Sequence, residues 1–271
     1  MTPVDMLLIG AGGFAAGAVN SVAGGGTFFS FPAMLAVGLP PVVANASNSV
    51  ALWPGSLSGA WAYRRELARY TRYLIPMGIA SFLGGAAGGL LLLAAGDARF
   101  AALIPWLLAF ATGLFAFSPQ LASALRRMRR RAPVAPLAAA ASRAEVPAGH
   151  GAGSPAGWAV QLLVAVYGGF FGAGMGILMM ASLAIGGHED VQHINALKNL
   201  LSAVIYSVTV ITFILAGAVS WPHTLVMVVT ASLGGYWGAR MARNIQGAWL
   251  RRMVIAVGAA LTAYYFYKTL G

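Results

Sequence analysis

The 271-residue chain contains no cysteine, which excludes a disulfide framework and any thiolate metal site. Acid is nearly as scarce: six Asp and Glu stand against 17 Lys and Arg, and charged residues make up 8% of the chain, where a soluble domain carries about 25%. Apolar residues fill the deficit, at 59% of the sequence and a mean hydropathy of +0.77. An ordinary soluble domain is excluded, and the composition is that of an all-α polytopic membrane protein. The first residues, MTPVDMLLIGAGGF, place no Lys or Arg ahead of the apolar run and carry Asp5. They are therefore expected to be mature structure and not a cleaved signal peptide.

A helix needs about 20 apolar residues to cross the hydrocarbon core. Six stretches meet this, near 42–63, 73–95, 99–120, 191–217, 223–242 and 250–268. Two others, 3–38 and 156–187, are apolar but cut by glycines, at AGGGT (23–27) and GAGMG (172–176). Each is too long for one straight span and too short for two, which predicts a re-entrant helix-break-helix hairpin. The segments after the two breaks also repeat one another: GGGTFFSFPAMLAVG leads through LPP into VVANASNSVALW, and GMGILMMASLAIGG leads through HED into VQHINALKNLLSAV. Gly26 thus corresponds to Gly176 and Asn48 to Asn199.

Basic residues choose the orientation. With both broken segments returning to the side they entered, the clusters Arg64–Arg72, Arg126–Arg143 and Arg240–Arg252 share the cytoplasmic face. Only Arg99 and Lys268 then fall opposite, and Lys198 lies within a span. The predicted architecture is two inverted repeats, each a glycine-broken re-entrant hairpin plus three transmembrane helices. They occupy 1–120 and 156–271, are joined by a basic linker over 121–155, and leave both termini outside. The arginine run of the linker adjoins a span, so it reads as a topology signal facing anionic lipid and not as a nucleic-acid site. The Ala, Pro and Gly tract after it reads as a tether.

The doubled motifs, GGGTFFSFPAMLAVGLPPVVANASN and GAGMGILMMASLAIGGHEDVQHINALKN, resemble the sulfite exporter TauE/SafE family of bacterial inner-membrane permeases. The resemblance covers essentially the whole chain except the linker. It implies a multi-pass inner-membrane transporter of sulfite, sulfonates such as sulfoacetate, or other small sulfur-containing or carboxylate anions, without naming which. The chain departs from the family's pattern in its long Ala/Arg-rich linker. The two repeats also differ from each other, with Ser47 in the first where Lys198 stands in the second.

Polar groups inside spans are expensive facing lipid, so they mark either a pathway or interhelical hydrogen bonds. Asn45 and Asn48 are three residues apart, as are Asn195 and Lys198, with Asn199 four beyond Asn195, and such spacings share a helical face. No Asp or Glu lies within the six spans. The intramembrane charge is positive, and broken helices present N–H groups at their starts, near Thr27 and Ile177, where the dipole favours an anion. The expected binding residues are therefore Asn45, Ser47, Asn48, Asn195, Lys198, Asn199 and Thr27, with Gly25, Gly26 and Gly176 shaping the breaks. Lys198 has a bland alternative in snorkelling to the cytoplasmic interface. His193 is a candidate for proton coupling, against a structural role at the helix start. Glu189 and Asp190 read as caps of the following helix.

GAGMG and GAGGFAAG have neither a preceding strand nor a Walker lysine, so phosphate-loop readings are rejected. The pairs Gly13/Gly17, Gly84/Gly88, Gly85/Gly89 and Gly234/Gly238 instead predict close helix packing, and the tryptophans read mostly as interfacial anchors. No nucleophile, base and orienter trio appears, so chemistry on the solute is not expected and neither a cofactor nor a metal is implied. The reading is a secondary transporter working by alternating access. A channel-like anion pore is the alternative, the partners are the bilayer and a small anion, and a homo-oligomer is compatible with all of this.

Overall fold

A computed structural model of the chain describes residues 1–22, 24–64, 71–131, 155–185, 191–241 and 247–270. Among these the regular structure is entirely helical. The elements are α1 (Pro3–Val22), α2 (Thr27–Ala36), α3 (Pro41–Ala62), α4 (Thr71–Arg131), α5 (Pro155–Phe170), α6 (Met175–Ile185), α7 (Val191–Leu215), α8 (Trp221–Met241) and α9 (Gly247–Leu270). Among the described residues, three segments are both long and apolar enough to cross a membrane: Pro3–Ser21, Leu74–Gln120 and His193–Leu215. The first was expected to be one arm of a hairpin. The second is 47 residues long and is broken at Gly96, whose φ of 69° and ψ of 173° are non-helical. Its two arms match the expected spans 73–95 and 99–120. Helices α3, α8 and α9 have 22, 21 and 24 residues, comparable in length but richer in polar side chains. The caps expected of Glu189 and Asp190, the loop arginines Arg65 and Arg69, and the tether over 132–154 lie outside the described residues. Helix α4 continues through Arg131, so the basic run RRMRRR prolongs a helix where a linker was expected to have begun.

Both glycine breaks interrupt helices. Between α1 and α2, Gly24 adopts φ +76°, and between α5 and α6, Gly172 and Gly174 adopt +81° and +76°, a region in which a Cβ is strained. Each short helix restarts on carbonyls of its own break. Phe29 N donates to Gly26 O at 2.9 Å, and Ile177 N donates to Gly174 O at 3.0 Å. The Ile177 amide is thus already used, contrary to its expected availability. At the Gly96 kink, Asp97 Oδ1 accepts from Val42 N at 2.8 Å, so the acid at the bend caps the start of α3.

Small residues let helices of opposite halves touch backbone to backbone. The most extensive pairing sets α1 against α8. A Cβ on Gly17 would fall inside contact distance of Ala231 O, and one on Gly238 would stand 2.6 Å from Ala18 Cα. The next sets α4 against α5, where a Cβ on Gly84 would lie 2.6 Å from Leu162 O and one on Gly88 2.8 Å from Phe170 N. In both pairs, higher residue numbers on one helix meet higher numbers on the other, so the helices run the same way. The predicted glycine pairs therefore do pack helices, and they join the two halves of the chain.

The core sits where the breaks converge. Phe31 of α2 packs edge-on against Phe171 at 5.5 Å and beside Phe100 of α4 at 6.1 Å, while Phe100 meets Phe170 at 5.6 Å. Phe31, Phe100 and Phe171 are all essentially without exposure. These rings bury the largest areas in the interior and tie the first short helix to the second break.

Candidate functional site

Helices α3 and α7 carry the expected polar clusters, and contacts along their shared seam give the register. Trp53 Nε1 donates to Ser207 Oγ at 2.8 Å, and the Asn199 carboxamide lies 3.5 Å from where a Cβ on Gly59 would stand. Rising numbers on α3 meet falling numbers on α7, so the two helices are antiparallel. Asn48 and Asn199 consequently do not meet. Eleven residues separate Asn48 from Gly59, about 16 Å of helix axis. The two asparagine clusters occupy different levels of the same seam.

At the first level, Asn45 and Asn48 are buried, with 1% and 2% exposure. Asn45 Nδ2 donates to Phe170 O at 3.0 Å, which satisfies a carbonyl at the end of α5 that has no helical partner. That bond fixes which way the amide faces. Asn45 Oδ1 and Asn48 Oδ1 are both buried without a hydrogen-bond donor among the described residues, a costly arrangement for an acceptor. Ser47 Oγ accepts from Ser220 N at 2.9 Å, one residue before α8 begins. Ser47 therefore holds a helix start in place.

At the second level, Asn195, Lys198 and Asn199 are half-buried and His193 is buried, all within the first turns of α7. Lys198 extends toward α6. Its Cδ lies 3.7 Å from where a Cβ on Gly176 would be, so its alkyl stem runs along the first turn of α6. No carboxylate pairs with it among the described residues. Ser202 Oγ stands 4.0 Å from Met179 Sδ, which continues the contact between α6 and α7.

Between the levels lies Tyr206. Its phenol lies close to the Thr27 side chain, and a Cβ on Gly172 would be 3.4 Å from its oxygen. One side chain of α7 thus touches both breaks. Tyr167 reinforces the second, its hydroxyl donating to Ala173 O at 2.5 Å. The first break is closed by packing: a Cβ on Gly25 would meet Phe115 and Val254 at 3.0 Å, and one on Gly26 would meet Ala16 O at 2.7 Å.

Of the expected site residues, Lys198 and Gly176 come together, while Thr27 lies near Tyr206, away from them. Asn45 and Asn48 stand apart at the other level, and Ser47, Gly25 and Gly26 serve packing. Tyr206, a polar residue within the expected span 191–217, was not among the expected site residues. The tryptophans read mostly as interfacial anchors, and the Trp53 indole bonds across the α3/α7 seam. No group of three or more His, Asp or Glu side chains that could hold a metal occurs among the described residues.

An all-helical membrane protein with two glycine-broken helices meeting around buried amides is the class these features define. The chain belongs to the sulfite exporter TauE/SafE family, whose model matches residues 9–265. Similar proteins include a probable membrane transporter protein of Haemophilus influenzae, 28% identical over 94% of this chain and 92% of its own. The probable membrane transporter protein YfcA of Escherichia coli K12 is 28% identical over 94% and 87% respectively. A third, named ORF9, from a Sinorhizobium species, is 26% identical over 92% and 87%. No solved structure matches. Family and relatives together make this a membrane transporter.

Proposed function

We propose that the protein is a multi-pass secondary transporter of the bacterial inner membrane that moves small organosulfur or related anions, such as sulfite, sulfoacetate and other sulfonates, by alternating access. The observation that carries this reading is Lys198 lying along Gly176 in the first turn of α6. A helix start has partial positive charge, so an ammonium beside it is repelled unless a negative charge joins them. With no carboxylate supplying that charge among the described residues, a bound anion does so. Low dielectric strengthens the attraction, and Asn195, one turn back on α7, adds an amide donor. Lysine is a compact point charge without a bidentate fork, suited to tetrahedral or pyramidal oxyanions held on several sides.

The anion then passes the Thr27–Tyr206–Gly172 junction to reach the level of Asn45 and Asn48. Two inverted repeats, each with a re-entrant hairpin, give this route its symmetry. The reciprocal pairing of α1 with α8 and of α5 with α4, and the antiparallel α3/α7 seam, support that topology. Rocking one half against the other at this seam opens the levels alternately. His193, buried beside the lysine level, couples proton movement to the cycle.

Counterflow in proteoliposomes tests the reading. Unlabelled sulfite or sulfoacetate trapped inside is expected to accelerate saturable entry of the labelled anion, and Lys198→Met to abolish the stimulation. Non-saturable flux with measurable conductance would make the protein a pore and overturn the proposal.

A further inference from the structure

On the outer face of the seam, α3 and α7 leave an apolar groove of about 830 Å3, walled by Leu57, Trp61, Leu200, Val204 and Ile211 and edged by Phe82 of α4. A second groove of about 450 Å3 lies on the other side of Phe82 and Val204, running along α4 from Leu74 to Leu83. We propose that the pair is the seat of one two-chained anionic phospholipid, its acyl chains straddling Phe82 and its phosphodiester on Arg64.

Length, shape and charge all point to that occupant. From Leu200 to Ile211 the first groove follows α7 for eleven residues, about 16 Å, close to one leaflet of a hydrocarbon core about 30 Å thick. The exposed apolar residues Trp61, Phe82 and Ile211 (69%, 53% and 53%) need lipid cover along this whole depth. Arg64 closes one end of the groove, and its position is fixed. Its Nη1 donates to Trp61 O at 3.0 Å, and its guanidinium carbon stacks 4.6 Å above the Trp61 ring. The remaining N–H groups of the fork are left for a phosphate. Trp61 has the amphipathic character of a residue at headgroup depth. In the sequence, the stretch from Arg64 to Arg72 carries four arginines against one acid, Glu66, and is net positive. A zwitterionic lipid would bring a second cation to the same place, whereas an anionic headgroup does not. The inference requires only that the chain sits in a bilayer and stands whether or not the transport reading does.

The test uses the full-length protein in neutral detergent, with phosphatidylglycerol and phosphatidylcholine of identical chains as probes and retention read by native mass spectrometry. Wild type is expected to retain phosphatidylglycerol in preference to phosphatidylcholine, with the preference falling as salt rises. Arg64→Ala should lower that preference about fivefold, the contribution of one basic residue near an anionic surface, while leaving phosphatidylcholine retention unchanged. Ala60→Trp, which fills the groove, should reduce retention of both lipids. Equal retention of the two lipids by wild type, or an unchanged preference in Arg64→Ala, would overturn the proposal. A dimer that excludes lipid would overturn it too, by making the groove a contact between two copies. Circular dichroism of each variant separates loss of lipid from loss of fold.

Discussion

The two helix breaks repeat one device in different surroundings. Around the first, Gly24 is open, but Gly25 abuts Phe115 and Val254, and Gly26 abuts Ala16 and Asn20. Around the second, Gly176 faces the alkyl stem of Lys198 at ordinary contact distance, with nothing else close. The equivalent positions on the next helices diverge in the same sense, since Ser47 accepts a backbone N–H while Lys198 has no acid partner among the described residues. A repeated element is committed to packing in one half and, on the proposed reading, holds the anion in the other.

Several substitutions break or sharpen that contrast. The largest expected effect comes from branched side chains at the breaks. Gly26→Val should destabilise by about 3 kcal/mol or more through overpacking against the α1 backbone, whereas Gly176→Ala should leave the thermal midpoint in detergent unchanged. Equal losses would erase the distinction between the breaks. Next, Lys198→Met should weaken anion binding about 10- to 100-fold, the range for losing a charged hydrogen-bonding partner, without loss of folded protein. Isothermal titration measures it. Ser47→Ala should do the reverse, costing about 1–3 kcal/mol of stability because the Ser220 N–H loses its acceptor, with anion affinity retained. The smallest effect belongs to Tyr206→Phe. Removing the hydroxyl that lies beside Thr27 and Gly172 should cost about 1 kcal/mol and alter transport rate more than affinity, read from initial rates against binding constants.

Much of this was legible in the sequence. Glycine breaks announce themselves because an apolar run of over 30 residues cannot be one helix in a bilayer. The structure puts the interruptions where AGGGT and GAGMG stand, and the small-residue pairs became backbone contacts because four-residue spacing keeps glycines on one helical face. What stayed hidden was which helix each face meets. Asn45 looked like a substrate ligand from its spacing with Asn48, yet its amide nitrogen serves Phe170 O, 125 positions away. Ser47 looked like the counterpart of Lys198 and proved to hold the start of α8. The level of Asn48 relative to Asn199 depends on the antiparallel register of α3 and α7, which a pattern of three and four cannot supply. Tyr206 was visible as a polar residue in a span, but its place between the two breaks exists only once they converge.

The most direct test of an anion held between Lys198 and the first turn of α6 is a thermal-shift titration of purified wild type and Lys198→Met with sulfite, sulfoacetate and small carboxylates. A ligand that binds only the folded form raises its melting temperature. The account predicts a saturable rise for at least one of these anions in wild type and none in the variant. Equal shifts in both proteins would contradict it.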